Sequence, residues 1–249
     1  MIEAYYVRSV ERSLQLLKCF DKEHQAIGLL EFAGMLELNK STVFRLLCNL
    51  ADSGFVEINE DGKYVLGQEI FRLARVYQNS DLLAKEAESL MKKVAALSGE
   101  TVAIAEYSNG NAICVNRIES NYPLKIVSEI GASVPLIKGA TGKAIIAFLP
   151  QEERKRCWAR QEEMYHYGIE FQPLEEELAK VRERGYVITD GEVDIGVVAI
   201  AAPIFGNNRR VLGSISVAGP NNRFTNEKAE VLKDNLTALS DALLRKYKI

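Results

Sequence analysis

The sequence predicts an α+β chain in two unequal parts, and three observations carry that expectation. Three short helical patterns and a hairpin pattern fill the first 67 residues. A break with a cap signal falls at Asn79–Asp81. Beyond it, alternating strands pair around tight turns and are mixed with helices in an order unlike repeated βαβ units. The expected boundaries are 1–67 for the first domain, 68–80 for a linker helix and 81–249 for an antiparallel sheet with packed helices.

In the first part, Val10, Leu14 and Leu17 recur at helical spacing between Ser9 and Phe20, with Glu11, Arg12, Gln15 and Lys18 between them. A turn-like stretch, Asp21–Gly28, leads to a second helix, Leu29–Leu36, with Phe32, Ala33 and Leu36 on one side. Asn39 is a good N-cap for a third helix, because its short side chain can accept a hydrogen bond from the first turn. Val43, Leu46, Leu47 and Leu50 make that helix's apolar stripe, and Lys40, Ser41, Thr42, Arg45 and Asn49 occupy the other face. Gly54 stops it, and Phe55–Ile58, the turn Asn59–Gly62 and Tyr64–Leu66 read as a hairpin. Three helices and a hairpin describe a winged helix-turn-helix. Its third helix would place hydroxyls, an amide and two cations against phosphates and base edges. A winged helix used only for protein contacts is the alternative.

Charge must be weighed against that reading. The 249 residues carry a formal net charge of −3, and the first 80 hold nine Lys/Arg against eleven Asp/Glu, so no global field attracts a polyanion. Between Leu38 and Ala51, however, there is no acid, and Lys40 and Arg45 are the only charges. The attraction is local. With so few cations on one helix, a homodimer or dimer of dimers on a near-palindromic site is expected.

These landmarks resemble the IclR family of bacterial regulators: Arg8-Ser9-Val10-Glu11-Arg12, Asn39-Lys40-Ser41-Thr42-Val43, Arg45-Leu46-Leu47, Gly54-Phe55-Val56 and Tyr64-Val65-Leu66-Gly67. The resemblance implies that the third helix enters the major groove, with Ser41, Thr42 and Arg45 as base contacts and Lys40 on phosphate. It favours a repressor acting on double-stranded operator DNA.

In the second part, Gln68–Asn79 and Asp81–Ser98 read as helices, with Ser80-Asp81 as the cap between them. Thr101–Tyr107 and Asn111–Ile118 alternate around Ser108-Asn109-Gly110. Lys125–Glu129 and Leu136–Lys138 are candidate strands, and Gly139-Ala140-Thr141-Gly142-Lys143-Ala144 opens a helix running to Phe148 and stopped by Pro150. The turn at 139–142 can hold a carboxylate on its N–H groups but lacks the spacing of a nucleotide-triphosphate loop. A helix at Leu174–Arg184 ends at Gly185, and Tyr186–Thr189 leads into Asp190-Gly191-Glu192. Val197–Ile204 and Val211–Ala218, joined by Phe205-Gly206-Asn207-Asn208-Arg209-Arg210, are apolar strands, and Thr225–Lys246 is a long closing helix.

This half is similar to the effector domain of the same family, a GAF-like fold, through Gly142-Lys143-Ala144, Arg184-Gly185-Tyr186, Gly196–Pro203 and Val217-Ala218-Gly219-Pro220. The resemblance implies a small organic or aromatic acid as effector. Ala140, Thr141 and Gly142 would receive its carboxylate, and Asp190 and Ser216 would bond its other oxygens. Ala218 stands where some relatives have a second serine. The alternative is a domain that serves only oligomerisation, with a filled core.

An enzyme would need a nucleophile beside a base, and the two histidines, His24 and His166, lie in no such motif. No Cys-x-x-Cys or His-x-x-x-His spacing marks a metal, although His166 and Cys157 can converge only in space. No cofactor or metal is expected, and the four cysteines read as reduced core thiols. No run of about 20 apolar residues offers a membrane helix, and Glu3, Arg8, Glu11 and Arg12 are unlike a signal peptide, so the expectation is a cytoplasmic protein.

Overall fold

A computed structural model of the chain describes residues 7–80, 82–206 and 209–246. Asp81 of the expected cap and Asn207-Asn208 of the expected hairpin loop lie outside the described residues. The chain divides into two units, Met1–Asp81 and Leu82–Ile249.

The first unit runs α1 (Arg8–Lys18), α2 (Leu29–Met35), α3 (Lys40–Asp52), β1 (Val56–Ile58), β2 (Tyr64–Leu66) and α4 (Gln68–Ser80). Leu16, Ile27, Phe32, Val43, Leu47, Val56 and Tyr64 form its core, and Phe32 meets Phe20 and Tyr64 edge-to-face at centroid distances of 5.6 and 6.2 Å. The strands pair antiparallel, Val56 opposite Leu66. Ile27, which the sequence places in a turn, adds a third pairing by exchanging both backbone hydrogen bonds with Tyr64 at 2.9 Å. The chain needs glycine where it leaves the wing: a Cβ on Gly67 would stand 2.2 Å from the Gly54 carbonyl oxygen.

One helix face differs from expectation. In α1 the buried residue is Leu16, with Leu17 half-buried, whereas Val10 and Leu14 are exposed. The apolar residues of α1 serve two directions. Among the described residues, only the side facing Phe32 and Val43 is filled.

The second unit runs α5 (Leu82–Ser98), β3 (Thr101–Ser108), β4 (Asn111–Ile118), β5 (Ser133–Val134), α6 (Ala140–Ile146), α7 (Gln151–Tyr165), α8 (Phe171–Arg184), β6 (Val187–Asp190), β7 (Val197–Phe205), β8 (Val211–Pro220) and α9 (Asn226–Lys246). Its six strands form one sheet in the order β5-β4-β3-β8-β7-β6, antiparallel throughout. Side-chain alternation gives the sheet two faces. Val102, Ile104, Ile200, Ala202, Ile215 and Val217 pack against Met91 and Val94 of α5 and Leu232 and Leu236 of α9. Ala105, Ala112, Val187 and Ala201 face the other way, toward α6, α7 and α8.

Three expectations change here. Lys125–Glu129 is not a strand but a strap without regular structure, held by the Thr101 hydroxyl donating to the Ile126 carbonyl (2.6 Å) and by Arg117 donating to the Ser128 carbonyl (2.8 Å). Leu136–Lys138 is a bend, because the Leu136 and Ile137 N–H groups turn to the Gln161 amide oxygen instead of a ladder (2.9 and 3.2 Å). The paired residues are Ser133 and Val134, opposite Ile113 and Ala112. Finally, α6 ends at Ile146, short of Phe148, and Pro150 serves as the N-cap of α7, which starts directly behind it. No helix among the described residues is long and apolar enough to cross a membrane.

Candidate nucleic-acid interface and ligand cavity

α3 presents one apolar and one bare polar face. Val43 and Leu47 are buried, while Lys40, Ser41, Arg45 and Asn49 are exposed and Thr42 is half-buried. Asn39 occupies the N-cap position, but its backbone carbonyl does the work there, accepting from Thr42 (2.9 Å) and Val43 (3.1 Å), and its side chain makes no capping bond. The Asn49 amide donates back to the Arg45 carbonyl at 2.7 Å, so its donor is partly engaged within the helix. Phe44, assigned to neither face from the sequence, is 49% exposed beside Ser41 and Arg45. A large exposed aromatic among hydroxyls and a guanidinium suits contact with a thymine methyl.

In the second unit a cavity of about 390 Å³ lies between the sheet face and α6. Ala199 and Ala218 form its sheet floor with Val197, and the strap contributes Ile126 and Val127. Ala140 and Thr141 line it from α6. A loop after β6 closes part of it with Val193 and Asp194, and this loop is tied down through Glu192. Glu192 accepts from the Gly139 N–H (2.9 Å) and from the nearly buried Lys143 ammonium (2.7 Å), which also holds Glu177 of α8 (2.8 Å).

Not all the expected residues meet here. Gly142 lies behind the wall, its Cα turned to the chain at Pro135 and Leu136. Ser216 is 4% exposed on the cavity side of the sheet, between Ala103 and Ala201, yet does not line the cavity; the neighbouring Ser214 hydroxyl donates to the Thr141 carbonyl at 2.8 Å. Asp190 is exposed, and alternation along β6 turns it to the opposite face from its neighbour. The neighbour is Thr189, 5% exposed and lining the cavity, and its hydroxyl has no hydrogen-bond partner among the described residues. Sequence reasoning also missed Lys138, the one cation of the lining among the described residues, whose ammonium stands 5.1 Å from the Tyr167 ring centroid. Glu129 and Asp194 are its acids.

Neither histidine lines the cavity. His24 is bonded to Asp21 (2.9 Å), and His166 ends α7 in a left-handed conformation. Burial pushes the Cys114 thiol of the cavity wall above its usual range, which keeps it neutral and a poor nucleophile. Among the described residues no three His, Cys, Asp or Glu side chains are placed to hold a metal ion.

A three-helix unit with a wing and a bare polar third helix, joined to a sheet domain with its own cavity, is the build of a DNA-binding transcriptional regulator. Comparison with known proteins agrees. Residues 9–60 match the IclR helix-turn-helix domain, and residues 75–245 match the bacterial transcriptional regulator IclR C-terminal domain. The chain is 29% identical to the transcriptional repressor IclR of Escherichia coli over 228 residues, covering 89% of this chain and 83% of that protein. Among solved structures it superposes on an IclR-type regulator from Silicibacter sp. with a TM-score of 0.84, at 26% identity and 96% coverage of both chains. An IclR homologue from Microbacterium hydrocarbonoxydans, solved with 4-hydroxybenzoate, shares the fold at a TM-score of 0.75 and 19% identity, with coverage of 96% and 99%. The chain therefore belongs to the IclR family of transcriptional regulators. Its work is DNA binding and control of transcription, not catalysis.

Proposed function

We propose that this regulator is a cytoplasmic repressor that binds a near-palindromic operator as a homodimer or dimer of dimers and responds to a small, partly aromatic organic acid held in the 390 Å³ cavity. The observation that carries the effector reading is the cavity's division into an apolar floor, a buried Thr189 hydroxyl and a cation, Lys138, the hydroxyl without a partner and the cation alone among the described residues. A buried hydroxyl left unbonded costs about 1–3 kcal/mol, which a ligand oxygen recovers. The carboxylate belongs near Lys138 and the N–H groups of Ala140 and Thr141, where charge attracts it, and away from Glu129 and Asp194. The relative crystallised with 4-hydroxybenzoate supports this ligand class.

A thermal-shift screen of small carboxylic and aromatic acids finds the effector, because a ligand of the folded state raises its stability. For the best hit, Thr189→Val is expected to weaken binding by about 1–3 kcal/mol, while Asp190→Ala leaves it unchanged. Titration calorimetry reads both variants. Equal affinity in Thr189→Val and wild type would place the ligand elsewhere, and an empty screen would favour a domain used only for assembly.

For the operator, Lys40 belongs on phosphate, Ser41, Thr42 and Arg45 on base edges, with Asn49 near the backbone and Phe44 against a methyl group. Arg45→Ala is expected to weaken operator binding by about 1–3 kcal/mol, and Phe44→Ala by a smaller amount, both with melting temperature unchanged since both side chains are exposed. A fluorescence-anisotropy titration at fixed salt measures this, and unaltered affinity in both variants would remove α3 from the groove. Exposed Val10 and Leu14 of α1 and Phe71, Val76 and Tyr77 of α4 support the oligomer, since so many apolar side chains on so small a unit are more than a monomer needs to expose.

A further inference from the structure

A second cavity, about 370 Å³, lies between the β3–β4 turn and α7, and it shares no residue with the first. Its charged lining is Glu153, Arg156 and Arg160. The two arginines are four apart on α7 and so lie on one face of the helix, one turn from each other. Arg160 is fixed from the hairpin side, where its Nη2 donates to the Asn111 Oδ1 at 2.6 Å. Arg156 has no hydrogen-bond or ion-pair partner among the described residues.

The carboxylate does not neutralise them. Glu153 Oε1 accepts the Tyr107 hydroxyl at 2.6 Å, and that hydroxyl oxygen in turn accepts the Gly110 N–H at 3.0 Å. This chain of bonds holds the acid against the wall, and no ion pair joins it to either guanidinium among the described residues. Gly110, at φ 81°, brings the turn's backbone close: a Cβ there would stand 3.7 Å from both Arg160 Nη1 and Cys157 Sγ. The remaining floor is the Cys157 thiol, 4% exposed and uncharged, so the cavity is a recess with two positive charges against one negative. Two forked guanidiniums one helical turn apart match an oxyanion with several acceptor oxygens and double charge better than they match a single carboxylate.

We propose that this recess is a second small-molecule site, taking the phosphate group of inorganic phosphate or of a small phosphate monoester between Arg156 and Arg160. The site is independent of the effector cavity, and its test uses the full chain without DNA or effector. Calorimetric titrations with inorganic phosphate and with glycerol phosphate are run at about pH 8, where the dianion predominates for the monoester and for free phosphate alike, at ionic strength matched with sodium chloride. Saturable binding of at least one is expected, weakened roughly tenfold or more in the double variant Arg156→Gln/Arg160→Gln. Both side chains are exposed, so that variant should melt at the wild-type temperature in chloride alone. The double variant Lys40→Gln/Arg45→Gln should bind as wild type does. A tighter monoester identifies a phosphorylated metabolite as the occupant, and equal affinities identify phosphate itself. Absence of saturable binding, retention in the α7 variant, or loss in the α3 variant instead would each overturn the proposal.

Discussion

Arg154→Ala is expected to destabilise the second unit by about 3 kcal/mol, which would make the protein melt well below wild type. Arg154 is 11% exposed and Glu175 15%; the guanidinium meets the carboxylate through two bonds of 2.5 and 2.6 Å and gives a third, at 2.6 Å, to the Leu149 carbonyl. Removing the cation strands a largely buried carboxylate and an unpaired carbonyl together. The lower end of the range for buried pairs applies, because both side chains retain some solvent and Arg182 lies near enough to act on Glu175. The same pair makes stability depend on pH. The Arg154 guanidinium holds the Glu175 carboxyl below the usual range, so its folded value lies under the unfolded one, about 4.3. The contribution is present in full above that unfolded value and is lost as pH falls through the lower folded one. Urea unfolding between neutral pH and about pH 3 should show this loss in wild type and a shallower one in Glu175→Gln. Parallel profiles for the two proteins would show that the pair does not carry the acid sensitivity.

Gly142→Ala is expected to cost about 3 kcal/mol or more and to abolish effector binding, although alanine is the better helix former by about 1 kcal/mol. Position 142 is helical, so the propensity term favours the change. Sterics decide against it: a Cβ would stand 1.7 Å from the Pro135 carbonyl oxygen and 2.7 Å from the Leu136 Cα, and both obstacles are backbone. To admit the methyl group, α6 must retreat from Pro135 and Leu136, which displaces Ala140 and Thr141 from their places in the cavity wall. A melting temperature and a ligand titration on the variant check the two consequences separately. A stable variant that still binds the effector would mean that the 135–138 segment yields freely. Gly142 thus matters to the ligand without lining its cavity.

The residues that fix local structure were legible in the sequence. The stripe Val43-Leu46-Leu47-Leu50 and the hairpin around Asn59–Gly62 depend on near neighbours, and the polar face of α3 follows from the stripe opposite it. The same holds for β3, β4, β7 and β8, whose apolar alternation is long enough to read, and for α8, whose stop at Gly185 is a left-handed position. α7 was not legible. Its inward residues are Arg154, Cys157 and Gln161, so no apolar period marks the buried side, and the partners that make those polar groups tolerable there, Glu175, Tyr107 and the N–H groups of Leu136 and Ile137, come from distant parts of the chain.

By itself the sequence determined a winged three-helix unit, a helix-flanked antiparallel sheet and the family to which both belong, because helical and strand periods, caps and turns are set within a few residues. Tertiary structure decided which side chains face the ligand. Thr189 and Asp190 are adjacent and both polar, and only the pairing of β6 with β7 and the packing of α6 on that sheet turn the first inward and the second to solvent. It decided likewise that Lys138 reaches the cavity, through a bend pinned by Gln161 from another helix, and that α1 keeps Val10 and Leu14 for a surface outside its own core. A strand slipped by one residue would have exchanged every such assignment, since side chains alternate with a period of two and nothing local fixes which half is covered.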